Sequence, residues 1–329
     1  METKGIRIEN WLHSLLVYNL CDIEEFDEVY EQMRSRDRQG HEITSDLWGY
    51  VLNAGSDVRH YGLVSYVWKR KVALGDLIPS DETAQRIIDM AVAAGDVEFV
   101  NEIFAFYSAK DLDFPVDDVS VLVEAHINSD NLANAFFDLC IMHRTGIAVG
   151  EKAMRRILEY MLRTGAQPRD AWTILQKIAE KKFTIPLPLA KVVLELCHCY
   201  ALDDRDVVLE AIAFYNDLSM LCPEGVRDVA VYNILIDTSR RAGNYQAAMF
   251  VIKEMSALGV VRNSETFEYI ILACLEAGNS ESAYRYFGDM RQQHGLSLDG
   301  HAKTRIGQVL ADMSDGYSGR LHLELHSKA

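Results

Sequence analysis

Proline is scarce in this chain, with six residues in 329. Proline removes a backbone donor and clashes with the preceding turn, so its scarcity permits an extensively helical fold. Long apolar runs are absent too. None approaches the ~18 consecutive apolar residues of a membrane-spanning helix. Basic residues are in deficit: 33 Lys and Arg stand against 49 Asp and Glu, a formal charge of −16. Such a chain repels nucleic acid on average, so any phosphate binding needs a local basic patch. The six cysteines (Cys21, Cys140, Cys197, Cys199, Cys222 and Cys274) are scattered through apolar helical patterns. They read as reduced thiols of an intracellular or organelle-matrix protein and not as a disulfide framework. Cys197-His198-Cys199 invites a metal reading, but residues i and i+2 of a helix point about 200° apart, and no Cys-x-x-Cys motif accompanies them. A Gly-rich phosphate loop, a Gly-x-Ser-x-Gly elbow and the paired His-x-Glu and Cys-x-x-Cys motifs of zinc deaminases are all missing. No catalytic residue, metal or cofactor is expected, and the chain is not read as an enzyme. The opening stretch METKGIRIENWLHSLL is no secretory signal and lacks the Arg- and Ser-rich, acid-poor character of an organellar presequence.

What the chain does contain is self-similarity. RRAGNYQAAMFVIKEMSALGVVRN, residues 240–263, is followed by LEAGNSESAYRYFGDMRQQHG, residues 275–295. Aligned on Gly243 and Gly278, the preceding apolar positions match, with Tyr232, Leu235 and Ile236 against Phe267, Ile270 and Ile271. After the glycines Ala248 matches Ala283, Ile252 matches Phe287 and Met255 matches Met290. Each unit reads as helix, Gly turn, helix, with apolar residues at i, i+3 and i+4. Two short helices cannot bury such faces alone, so neighbouring units must stack.

The same grammar runs upstream, with turns at Gly95, Asp130 and Gly165 and small residues at Ala135 and Ala171. Units near 81–115, 116–150 and 151–186 follow it. Residues 46–80 and 187–228 form looser units, and the segment that opens at Trp11 starts the array with Met33 and Gly40 in register. The expected fold is an all-α, right-handed superhelical solenoid of about eight helix-turn-helix repeats of about 35 residues. It spans residues 1–313, closes on a helix near 301–313, and leaves 314–329 as a C-terminal tail.

The period and the position of the glycine separate this pattern from tetratricopeptide repeats, in which Leu-Gly falls inside the first helix. Residues 229–263, VAVYNILIDTSRRAGNYQAAMFVIKEMSALGVVRN, resemble a pentatricopeptide repeat. The resemblance rests on Val-Tyr-Asn at the start, Leu-Ile-Asp, the Ala-Gly turn, the Ala248 to Met255 spacing and the late Gly259. Residues 264–299 resemble a second. The family resemblance implies a single-stranded RNA binder of mitochondria or plastids that acts in RNA processing, stability or translation. Each repeat then reads a base with side chains of its first helix.

Carried onto this sequence, the reading positions are Asn233 and Asn263 in one repeat and Glu268 and Asp299 in the next. The Asn–Asn pair resembles a pyrimidine-preferring combination. Upstream, the first positions fall on Gln85, Ser120 and Arg155, with off-pattern partners at Pro115 and Gly150. Arg240 and Arg241, about two turns beyond Asn233, are candidate phosphate contacts, as is Arg155. Arg156 and Arg163 add positive charge to the first helices, while Asp117, Asp118, Glu124, Glu265, Glu268 and Glu276 oppose it. Lys69-Arg70-Lys71 and Lys177, Lys181 and Lys182 are basic clusters near the ends of second helices, where the helix dipole alone also favours cations. The acidic balance and the off-pattern positions support an alternative: a protein-docking scaffold, such as an organellar ribosome component or assembly factor.

Overall fold

A computed structural model describes residues 10–112 and 120–326. Among them there are only helices and connecting turns. The chain divides into two compact units, residues 1–135 and 136–329.

The first unit contains α1 (Asn10–Asp22), α2 (Phe26–Arg38), α3 (Ser45–Asp57), α4 (Tyr61–Val67), α5 (Asp81–Ala93), α6 (Val97–Ala109) and α7 (Ser120–Asn128). A π-helical turn at Trp68–Val72 extends α4. Its indole packs edge-on against Phe99 and Phe106 at 5.6 and 5.5 Å, so one tryptophan joins consecutive hairpins. α8 (Leu132–Arg144) carries the boundary. The second unit continues with α9 (Glu151–Thr164), α10 (Pro168–Glu180), α11 (Leu187–Tyr200), α12 (Val207–Leu221), α13 (Val229–Arg241), α14 (Tyr245–Ala257), α15 (Ser264–Glu276), α16 (Ser280–Gln292), α17 (Gly300–Leu310) and α18 (Gly316–His326).

The recurring Ala-Gly-Asn phrase is explained by its hydrogen bonds. Ala242 closes α13, and Gly243 takes the left-handed conformation at φ +68°. Gly243 N–H donates to Arg240 O, and Asn244 N–H donates to Ser239 O. These two bonds satisfy the orphan carbonyls of the helix end as a Schellman motif. Asn244 then caps α14 by accepting from Ala247 N–H. Gly278 and Asn279 repeat both bonds one unit later, and Gly95 with Asp96 does so in the first unit. Three residues therefore end one helix and start the next, which fixes the hairpin.

The positions aligned from sequence are core positions. Tyr232, Leu235, Ile236, Phe267, Ile270 and Ile271 are buried, as are Ala248, Ala283, Met255 and Met290. Burying each large apolar side chain is worth roughly 1.5–3 kcal/mol, and the alanines let facing backbones approach. In the second unit the first helices α9, α11, α13, α15 and α17 pack in succession, each on the next. This layer is the helical-repeat solenoid expected from sequence. The longer unit at 187–228 accommodates its extra residues in the turn after α11 and in a 3-10 turn at Pro223–Arg227. Within the stretch read as a tail, α18 forms and packs on α16 and α17, with Leu321 and Leu325 buried.

Candidate nucleic-acid interface

The two candidate reading positions of residues 229–263 meet. Asn233 lies on α13, and Asn263 is the residue that caps α15. Asn263 Oδ1 accepts from Thr266 N–H at 2.8 Å, and Thr266 Oγ1 accepts from Asn263 N–H at 3.2 Å, which is a reciprocal capping box. Asn233 Nδ2 donates to Asn263 Oδ1 at 3.3 Å and to Glu265 Oε2 at 2.7 Å, while its Oδ1 accepts from Thr266 Oγ1 at 2.7 Å. Asn233 is only 3% exposed, whereas Asn263 is exposed. The backbone donor fixes the amide orientation of Asn263 with its oxygen inward. Its Nδ2 group therefore faces outward with two donors to offer.

The same juxtaposition recurs one repeat earlier. Lys191, the fifth residue of α11, lies 3.7 Å from Asp228, the residue that caps α13. In the following repeat Asp299 caps α17 by accepting from Ala302 N–H, and its charge helps raise the Glu268 titration. Burial is the main cause of that rise, opposed by Arg305, whose guanidinium is 2.8 Å away. The carboxylate read as repelling phosphate is thus neutralised locally.

Arg240 and Arg241 do not project freely. Arg240 Nε donates to Asp237 Oδ1 and Arg240 Nη1 to Glu276 Oε1, each at 2.6 Å, with the arginine side chain 14% exposed. Asp237 also accepts from His198 Nε2 at 2.7 Å, and Arg241 Nη1 lies 3.1 Å from the same imidazole nitrogen. Burial pushes the Asp237 carboxyl upward, but its bonds to His198 and Arg240 outweigh this and hold it below the ordinary carboxylate value. Burial likewise opposes charging of His198, and the Asp237 contact overcomes it, so the imidazole is raised. The result is a ladder of alternating charge along α11, α13 and α15.

Arg155 is separate from this ladder. It is exposed on α9 and lines a cleft of about 440 Å³ with Glu151, Met154, Leu158, Lys191 and Glu195. Burial raises the Glu195 titration against the nearby Lys191. Gln85 Nε2 donates to Asp89 Oδ1 at 2.9 Å within its own helix, and Gly150 stands at the start of α9. Pro115, Asp117, Asp118 and the side chain of Ser120 lie outside the described residues. Cys197 is buried and Cys199 partly exposed, and among the described residues no group of three His, Cys, Asp or Glu is placed to hold a metal ion.

Sequence reasoning gave no site role to Lys191, Asp228, Asp237, Thr266 or Arg305. A signal was present for Asp237, which lies three residues before Arg240, and for Asp228, which lies at a helix-start position. No local pattern pairs Lys191 with Asp228 or Arg305 with Glu268.

A family model described as "Pentatricopeptide repeat-containing protein" matches residues 81–220, and one described as "Pentatricopeptide repeat domain" matches residues 224–276. Together they account for more than half of the chain. A mitochondrial pentatricopeptide repeat-containing protein of Arabidopsis thaliana is 31% identical over 71 residues, 22% of this chain and 9% of that protein. The crystal structure of the maize pentatricopeptide repeat protein PPR10 superposes with a TM-score of 0.51 at 15% identity, over 94% of this chain and 43% of that one. The structure of PPR10 in complex with an 18-nt psaJ RNA element aligns with a TM-score of 0.40 at 14% identity, over 99% and 57% of the two chains. The present chain therefore spans less than two thirds of the length of these relatives.

Proposed function

Because the chain belongs to the pentatricopeptide repeat family, we propose that it binds single-stranded RNA along the first-helix layer of its second unit. The observation that carries this reading is the contact of Asn233 with Asn263. The two positions that the family uses for base reading lie side by side, and the exposed one presents a donor pair. An outward Nδ2 group suits the carbonyl oxygens of a pyrimidine edge. Asn233 acts as the strut that holds this group, because both of its polar ends are engaged within the protein. The process served is mitochondrial gene expression, at the level of RNA processing, stability or translation. The name of the Arabidopsis relative supports that compartment.

The test is fluorescence anisotropy of the purified chain with single-stranded and duplex RNA of matched sequence. Binding of the single strand alone is expected, and equal binding of both forms contradicts the reading. A second reading, docking of a protein segment on the same face, is favoured by one observation. Arg240 and Arg305 are already paired with carboxylates, so neither stands as a free cation for a phosphate.

A further inference from the structure

If phosphate contacts are scarce on the first-helix face, cations without partners must be sought elsewhere. The two basic clusters of the sequence differ sharply in this respect. In the first unit, Arg70 makes a two-pronged contact with Asp37, both bonds at 2.8 Å, and Lys71 lies 3.2 Å from Asp76. In the second unit, Arg144, Lys177, Lys181 and Lys182 are all exposed, and no ion pair of theirs occurs among the described residues. Helix-end electrostatics accounts for Arg144 and Lys177, which fall in the last turns of α8 and α10. Lys181 and Lys182 lie beyond that turn.

These cations surround two aromatic rings. Phe137 of α8 and Phe183, in the connection from α10 to α11, pack edge to face with centroids 4.8 Å apart. Both are half-buried. The Arg144 guanidinium sits 4.5 Å from the centre of the Phe183 ring, and Lys181 Nζ sits 5.9 Å from the centre of the Phe137 ring. An arginine held on a ring keeps its N–H edge available for a phosphate, and its orientation is already fixed. Of the residues 177–183, only Glu180 is acidic.

We infer that this cluster on α8 and the end of α10 is a second contact site for single-stranded RNA, outside the first-helix layer. Arg144, Lys181 and Lys182 meet the sugar-phosphate backbone, and the Arg144 guanidinium, held on the Phe183 ring, offers its outer plane to an unstacked base. The chemistry favours a single strand because a duplex base has no free face to stack. The site has no means of reading base identity, since it holds no side chain with a fixed donor and acceptor pair. It supplies affinity, while the Asn263 amide supplies choice. The inference shares with the proposed function its ligand class and not its residues.

The test uses the full chain, a labelled single-stranded RNA of random sequence, and titrations over a range of salt. Three variants are compared: the triple change Arg144→Gln, Lys181→Gln and Lys182→Gln; the charge-matched triple Lys69→Gln, Arg70→Gln and Lys71→Gln; and Phe183→Leu. The first triple is expected to lower the slope of log affinity against log salt by about 2, at about 0.7 per lost single-strand phosphate contact. Phe183→Leu is expected to weaken binding on the order of tenfold with the slope unchanged. The second triple is expected to change neither. Equal loss from the two triples overturns the inference, because net charge alone then explains it. A wild-type slope in the first triple overturns it as well, and a base preference that Asn263→Asp still abolishes leaves the groove reading intact. Absence of any wild-type binding overturns both.

Discussion

Asn233 and Asn263, 30 residues apart in the chain, are joined by a 3.3 Å hydrogen bond from Asn233 Nδ2 to Asn263 Oδ1. The bond ties the first helix of one repeat to the cap of the next. It makes the proposed reading position part of the joint between repeats, so in that reading structure and recognition share the same atoms.

That sharing can be separated by substitution. Asp caps a helix about as well as Asn, whereas Ala forfeits about 1 kcal/mol of cap stability. Asn263→Asp is expected to keep the wild-type melting temperature and to lose pyrimidine preference, because its outward atom is now an acceptor. Asn263→Ala is expected to lose both. Thermal denaturation and RNA selection on the two variants check this.

Asn233→Ala removes three side-chain hydrogen bonds at a buried position, while Glu265 is exposed and Thr266 Oγ1 keeps its bond to Asn263 Oδ1. A hydrogen bond is worth about 0.5–1.5 kcal/mol net when no buried group is left unpaired, so a loss of about that size is expected in urea unfolding. Serine at 233 is expected to recover little, since it cannot bridge both neighbours.

The turn glycines predict a graded pair. A Cβ at Gly243 meets open space, so Gly243→Ala suffers only the left-handed backbone, about 1 kcal/mol. A Cβ at Gly95, at φ +66°, stands 2.9 Å from the backbone of Asn128 and Ser129. Gly95→Ala is therefore expected to destabilise clearly more than Gly243→Ala in parallel chemical denaturation.

The His198–Asp237 contact sets a pH window. Asp237 titrates below its ordinary value in the fold, so its contribution is complete above the ordinary carboxylate range, about 4, and fades as pH falls through the lowered value. His198 titrates above its ordinary value, so its contribution is complete below about 6.5 and is lost as pH rises through the raised value. Stability from this pair is greatest between those limits. His198→Gln is expected to flatten the decline of the melting temperature between mildly acidic and alkaline buffer. An unchanged pH profile in the variant contradicts the assignment.

The hairpins were legible because their signals are local. Ala-Gly-Asn carries its own capping chemistry, and the aligned apolar positions fall on one helical face, so Tyr232 and Phe267 emerged as core from spacing alone. The partners of the arginines were not legible. Arg240 meets Glu276 across 36 residues, a consequence of how α13 packs on α15. The helix within 314–329 was missed for a related reason. Gly316 and Gly319 weaken its propensity, and tertiary contacts supply the rest. Asp315 accepts from Tyr317 and Ser318 N–H and from Ser280 Oγ of the preceding repeat, which holds its carboxyl at about 2.

The measurement that tests the account most directly is selection of the wild-type chain and Asn263→Asp against a random single-stranded RNA pool at two salt concentrations. The account predicts an enriched motif with a pyrimidine at one register for the wild type. It predicts loss of that preference, with binding retained, in the variant. Failure of the wild type to retain RNA at low salt, or the same motif from both proteins, contradicts it.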